Sequence, residues 1–228
     1  LDDAAASKIA AWRGLSADFM AAIRAQRLIG VHAGGAAFPV ADKEGVIIGC
    51  HYRVDDGTWR YEPKGTRCAP LVLGTPASAQ HVWLFESQWD ALAVADRLGW
   101  HEGRLEETAF VITRGAANGA MVAGLLNPEA RVIAWMQNDA PKKDGKVPAE
   151  EWFASIRVSA QMPVLRIDIP REHKDANDWV KAGAEGADLR GAIATAKDPE
   201  FSGVIVTSFK SLLQFDPKTD PDSLLGNR

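Results

Sequence analysis

His81-Val82-Trp83-Leu84-Phe85-Glu86-Ser87-Gln88-Trp89-Asp90-Ala91-Leu92 runs from a compact apolar strand through one acidic residue into a helix. Ser87 is a helix-capping type, Ala91, Val94, Ala95 and Leu98 share one stripe, and Gly99 closes the pattern. The same rhythm repeats downstream. Phe110-Val111-Ile112-Thr113, Val132-Ile133-Ala134-Trp135-Met136 and Val164-Leu165-Arg166-Ile167-Asp168-Ile169 read as further strands. Helices are expected over 121–126, over 148–160 with Pro148 in its first turn, and over 176–183. Strands alternating with helices predict an α/β architecture with a mainly parallel sheet flanked by helices. Functional groups in such sheets gather at the carboxyl ends of the strands.

Upstream the texture differs. Residues 1–30 read as helical, with Ser16 capping a helix through Phe19, Met20 and Ile23 and Gly30 a candidate stop. Val46 to Arg53 reads as a strand, Asp55-Asp56-Gly57 as a hairpin turn and Trp59-Arg60-Tyr61 as the returning strand. This half is a small α+β unit over 1–75, followed by the α/β region over 76–198. Residues 199–228 hold little periodicity beyond Val204-Ile205-Val206, and their polar, turn-rich composition reads as a linker.

The 228 residues are 46% hydrophobic and 25% charged, as in an ordinary globular protein. No apolar run approaches the roughly 18–20 residues of a membrane span, and no partner membrane is expected. The start at Leu1 has neither a basic nor a signal-type region and reads as that of an excised, cytoplasmic fragment. Two cysteines, Cys50 and Cys68, without Cys-x-x-Cys spacing predict neither a disulfide framework nor zinc. The net charge of −4 means that any nucleic-acid binding must come from a local patch.

Glu86 stands at the exit of the first α/β strand, where Ser87 already fills the capping role, and Asp90 lies one helical turn on. Asp139 follows the third strand, and Asp144 lies in the loop beyond it. Glu86, Asp139 and Asp144 are the candidate metal ligands, because Mg²⁺ takes hard oxygens and keeps several waters. The competing reading makes them separate turn carboxylates, and Asp90 a cap or dipole partner. Arg53, Arg60, Lys64 and Arg67, interleaved with Trp59 and Tyr61, form one candidate nucleic-acid surface, with Arg114 and Lys174 a second. Surface solvation is the alternative for each.

These residues carry a family resemblance. Leu84-Phe85-Glu86-Ser87-Gln88-Trp89-Asp90 resembles the Toprim strand–Glu-Gly-x-x-Asp–helix motif, with Ser87 in place of glycine. Ile133-Ala134-Trp135-Met136-Gln137-Asn138-Asp139 resembles its strand–Asp-x-Asp partner, and Lys174-Asp175-Ala176-Asn177-Asp178 the Lys-Asp-x-Asn-Asp stretch of primases. Trp12-Arg13-Gly14-Leu15-Ser16, Ala37-Phe38-Pro39-Val40 and Lys64-Gly65-Thr66 are similar to elements of the small subdomain that precedes it. The chain therefore resembles the catalytic core of bacterial-type DNA primases: a Toprim fold preceded by a small α+β subdomain. The lead-in Asp222-Ser223-Leu224-Leu225-Gly226 is similar to that of a P-loop ATPase of the plasmid-replication RepA type.

The resemblance implies Mg²⁺- or Mn²⁺-dependent primer synthesis on single-stranded DNA from nucleotides, in a mobile-element or phage-type protein with a helicase domain C-terminal to this region. It makes Glu86 the general acid/base or metal-positioning group and Asp139 half of a metal-holding pair, with Asp90, Asp175 and Asp178 in support. The pair's first aspartate is Gln137 here, and this departure opens a second reading. In that reading the module is catalytically degenerate, binds DNA or nucleotide, and serves a helicase. A Toprim nuclease is a third reading. A topoisomerase needs a nucleophilic tyrosine in a separate large domain, whereas Tyr52 and Tyr61 both lie in the small β unit.

Overall fold

The computed structural model describes residues 2–54 and 56–199. The chain divides into two compact units after Ala196, and every helix and strand named here belongs to the first. Asp55 of the expected hairpin turn, Val204-Ile205-Val206 and the ATPase-like lead-in lie outside the described residues.

Helix α1 (Asp3–Arg13) is capped by Asp2, which accepts from the Ala5 N–H at 2.7 Å, and Gly14 ends it in the left-handed conformation. Helix α2 (Ala17–Ala25) has the expected Ser16 cap, accepting from Phe19 N–H at 3.2 Å, and buries Phe19, Met20 and Ile23. The helical reading of 1–30 is therefore broken at Gly14 and ends early, because the chain extends again at Gly30. Strands β1 (Gly30–His32), β2 (Gly35–Ala41), β3 (Ile47–Arg53) and β4 (Trp59–Glu62) form an antiparallel sheet in sequential order.

The second sheet has the order β5-β7-β6-β8-β9, from β5 (Leu71–Leu73), β6 (His81–Phe85), β7 (Thr108–Ile112), β8 (Arg131–Trp135) and β9 (Val164–Ile167). Strands β7, β6, β8 and β9 run parallel, and β5 pairs antiparallel at one edge. Helices α3 (Gln88–Arg97), α4 (Pro148–Ala160), α5 (Ala176–Lys181) and α6 (Gly186–Ala194) cover it. The fold is thus α/β with a mainly parallel sheet beside a small antiparallel one. Among the described residues no helix is long and apolar enough to cross a membrane.

Both faces of the parallel sheet are buried, which is why its strands read as unbroken apolar runs. Trp83 and Phe85 belong to the apolar core that also holds residues of α1, α2 and α3, whereas Val82 and Leu84 belong to the one that holds Trp152, Phe153 and Ile156 of α4. Phe85 stacks on Phe110 and Trp135 at centroid distances of 5.8 and 5.6 Å. Burial of each such ring contributes about 1.5–3 kcal/mol.

Two helices depart from the pattern. The helix expected over 121–126 is instead a 3₁₀ turn, Ala116–Val122. Gly115, Gly119 and Gly124 explain this, because each glycine costs a helix about 1 kcal/mol relative to alanine. Helix α6 was not expected, although Glu185 and Asp188 stand at capping-box spacing, and the Glu185 N–H donates to Asp188 at 2.8 Å. Gly119 has a packing role of its own. A Cβ there would lie 2.7 Å from the Trp152 carbonyl and 2.9 Å from the Ser155 side chain. Gly119→Ala is predicted to lower stability by about 1–3 kcal/mol in urea unfolding, and an unchanged midpoint would refute this close contact.

Candidate active site

The carboxyl ends of β6, β7, β8 and β9 bring the candidates together. Glu86 leaves β6 directly, while Ser87 caps α3 by accepting from the Trp89 N–H at 3.2 Å. The Glu86 carbonyl accepts from Gly115 N–H at 3.0 Å, which joins this exit to the turn after β7. Its side-chain Oε2 is buried without a hydrogen-bond partner. Burial and the neighbouring Asp139 carboxylate push the Glu86 carboxyl up to about 7, against the pull of Ala116 N–H, Lys174 and Lys142. Glu86, Asp139 and Lys174 therefore share one electrostatic neighbourhood.

Asp90 is fully inside. It accepts from Gln137 Nε2 at 2.7 Å and from the Asn177 N–H at 3.2 Å. Burial, with Asp175 beside it, holds its carboxyl well above the ordinary range. Gln137 thus spends its amide tying the exit of β8 to α3. Asn138, which the sequence reading passed over, is the clamp of the site. Its side-chain amide reaches the carbonyls of Ile169, Pro170 and His173 at 3.1, 3.0 and 2.7 Å, and its N–H reaches that of Lys174 at 2.8 Å. These bonds fix the segment after β9 beside Asp139.

Asp144 is exposed and accepts from Lys146 N–H at 3.1 Å, closing its own turn; its charge acts on Lys142 rather than Glu86. Asp175 caps α5 by accepting from Asp178 N–H at 2.8 Å, and Asp178 accepts from Lys174 N–H at 3.1 Å. Among the described residues no three His, Cys, Asp or Glu side chains gather as a ligand set. Glu86 and Asp139 still suit a hard cation. An orphaned buried oxygen and two mutually repelling carboxylates are what such an ion relieves, and Mg²⁺ takes its other ligands from water and phosphate.

The basic candidates separate. Arg60, Lys64 and Arg67 are placed on β4 and beyond it, and Arg53 donates to the Gly57 carbonyl at 3.2 Å. Arg114, expected at the nucleic-acid surface, is buried instead. It donates to the Ala69 carbonyl at 2.7 Å and to the Pro39 carbonyl, and burial lowers its pKa to about 10. It is a strut between the two sheets. Trp59 and Tyr61, expected to be free for bases, stack on His51 at 4.6 and 4.5 Å. His51 is buried, its Nδ1 paired with Gln88 Nε2 at 2.7 Å, and burial together with Arg114 lowers its pKa to about 4. The ring is neutral and joins β3 to the first turn of α3. Arg13, whose sequence signal was its place in the Arg-Gly-Leu-Ser stretch, lies over Trp12 and Trp89 at 3.6 and 4.3 Å and donates to Asn177 Oδ1 at 3.3 Å.

The raised Glu86 carboxyl has a thermodynamic signature. The folded state holds this proton to about pH 7, whereas a free glutamate releases it near 4.5. Between those values the folded state binds more protons, so this group's contribution to stability is lost as pH rises through 7. The thermal midpoint of Glu86→Gln, compared with the parent from pH 5 to 8, is predicted to fall less steeply; parallel curves would show that Glu86 titrates normally.

No known family profile and no curated protein matches this chain in sequence. Solved structures do match it. The primase fragment of the bacteriophage T7 primase-helicase is 16% identical, with 80% of this chain and 72% of that one covered, at a TM-score of 0.56. The E. coli primase catalytic core is 16% identical, with 94% and 79% covered, at 0.53. The DnaG primase catalytic domain bound to single-stranded DNA is 16% identical, with 94% and 77% covered, at 0.54. The chain has the fold of a DNA primase catalytic core.

Proposed function

We propose that this chain is a Toprim-type primase module that extends primers on single-stranded DNA, with Glu86 and Asp139 holding Mg²⁺ or Mn²⁺. The observation that carries the reading is Glu86 at the exit of β6: buried, one oxygen unpaired, its carboxyl raised to about 7 beside Asp139. In the cation-free site a carboxyl that titrates near neutrality is matched to proton transfer, and a cation held beside it would lower that pKa. Glu86 takes the proton of the attacking 3′-hydroxyl as its oxygen bonds to the nucleotide's α-phosphorus and pyrophosphate leaves. The bound cation supplies charge neutralisation for the phosphates. Asp139 shares the cation, Lys174 faces the same anions, and Asn138 keeps both in register. Arg60, Lys64 and Arg67, with Arg53, suit the template backbone. A helicase C-terminal to this region is the proposed partner, in keeping with the T7 neighbour, a fragment of a primase-helicase.

A second reading has one observation behind it. The Gln137 amide is committed to Asp90, so the position that resembles a metal-ligating aspartate serves the scaffold. A module with that change binds DNA or nucleotide for a helicase without synthesising primers.

Template-directed synthesis with Mg²⁺ or Mn²⁺ separates the two. Under the first reading the parent makes primers, and Glu86→Gln lowers the rate about 10²–10⁴-fold, the usual reach of a positioned acid or base. A silent parent favours the second. Gln137→Asp removes a donor and sets a carboxylate against buried Asp90. It is predicted to cost about 1–3 kcal/mol of stability, and a Gln137→Asp variant as stable as the parent would argue against the bond. Millimolar Mg²⁺ is predicted to raise the thermal midpoint of the parent at pH 8 and to leave Glu86→Gln unmoved; an equal rise in both would place the ion elsewhere.

A further inference from the structure

Trp12 is the only exposed tryptophan of the eight, at 46% of its free area. It lines a cavity of about 360 Å³ between α1 and the antiparallel sheet, with Val31 and Ala36 as further apolar walls. Val31 is itself 41% exposed. Gly34 and Gly35 add no side chains to the cavity's lining, and Lys8 and Arg53 also line it. Neither cation makes an ion pair among the described residues, and none of the described lining residues is acidic. The Arg13 guanidinium backs the Trp12 ring at 3.6 Å, and Arg53 lies 5.5 Å from it. Trp12 also meets Trp89 edge-on at 5.6 Å, in the first turn of the helix that Glu86 precedes.

An exposed tryptophan beside Lys8 and Arg53, with no acidic side chain among the described lining residues, suits a flat apolar group that carries phosphate. We propose that this cavity holds one unstacked base of the single-stranded template, with the base on Trp12 and its flanking phosphodiesters on Lys8 and Arg53. The proposal rests on the single-strand reading and adds a subsite to it. Two cations match one or two phosphodiester charges and fall short of a nucleoside triphosphate, so the occupant is the strand and not the incoming nucleotide. Trp12 fits this place for a further reason. Base–aromatic stacking accepts every base, as a template site must.

The test is anisotropy of a fluorescein-labelled oligothymidylate with the parent, Trp12→Ala, Trp12→Phe and the double variant Lys8→Ala/Arg53→Ala, alongside primer synthesis by each. Trp12→Ala is expected to weaken binding about 5- to 100-fold, as loss of one stacked base does. Trp12→Phe should retain most of it, and the double variant should flatten the salt dependence. An oligonucleotide of abasic units should bind the parent more weakly, yet bind Trp12→Ala as the parent binds it, so a fold defect in the alanine variant does not decide the outcome. Equal binding of normal strand by parent and Trp12→Ala overturns the subsite, as does a parent that binds no strand. Displacement of the strand by free deoxynucleoside triphosphate with loss of affinity in Trp12→Ala would assign the cavity to the nucleotide and overturn the proposal too. Synthesis that persists with unchanged Trp12→Ala binding leaves the primase reading standing, whereas Trp12-dependent binding without synthesis leaves the subsite standing and removes the enzyme.

Discussion

A carboxyl group sealed from water constrains this structure more than any other single group. Asp90 sits inside α3 with no solvent to satisfy it, so the protein must bring donors to it. Gln137 arrives from the exit of β8 and the backbone of Asn177 from the start of α5. Asn177 in turn exchanges hydrogen bonds with Arg13 at the end of α1, its side chain donating to the Arg13 carbonyl at 2.9 Å. Four segments distant in sequence are thus fixed around one acidic side chain. The exit of β8 carries Asp139, so the buried network also sets where the second carboxylate of the site lies.

Around this network the site keeps two acidic groups in unlike surroundings. Asp90 has its partners and is structural. Glu86, one turn earlier, has an oxygen with none and a proton that leaves near neutrality. Neighbouring carboxyls with such different environments are a common way for a fold to separate scaffold from chemistry. The cations divide in the same manner. Lys174 faces the anionic centre, whereas Arg114 is withdrawn into the joint between the sheets.

Much of the fold was legible because its physics is local. The buried runs at His81–Phe85 and Arg131–Trp135, the Ser16 and Ser87 caps and Pro148 at the start of α4 each declare themselves within a few residues. Glu86 was legible for the same reason, as an acid at a strand exit whose capping position was already filled. What sequence could not show were the bonds across the chain. Gln137 reads as a missing aspartate until its amide is seen on Asp90, 47 positions away. Arg114, Trp59 and Tyr61 read as nucleic-acid contacts because a cation or an aromatic has the same letter whether its partner is a nucleic acid or the protein itself. Asn138 carries no motif, and its value lies in three carbonyls brought near by the turn after β9.

The joint between the sheets has a consequence for how such a module can be inherited. His51 bonds Gln88, Arg114 spans from Pro39 to Ala69, and one apolar core runs from Phe19 and Phe38 through Trp89 to Phe85. No seam separates the antiparallel sheet from the parallel one. Recombination between related chains that broke this one between β4 and β6 would strand buried polar groups on both sides. Viable chimaeras should therefore carry both sheets from one parent, and their crossovers should fall outside this block.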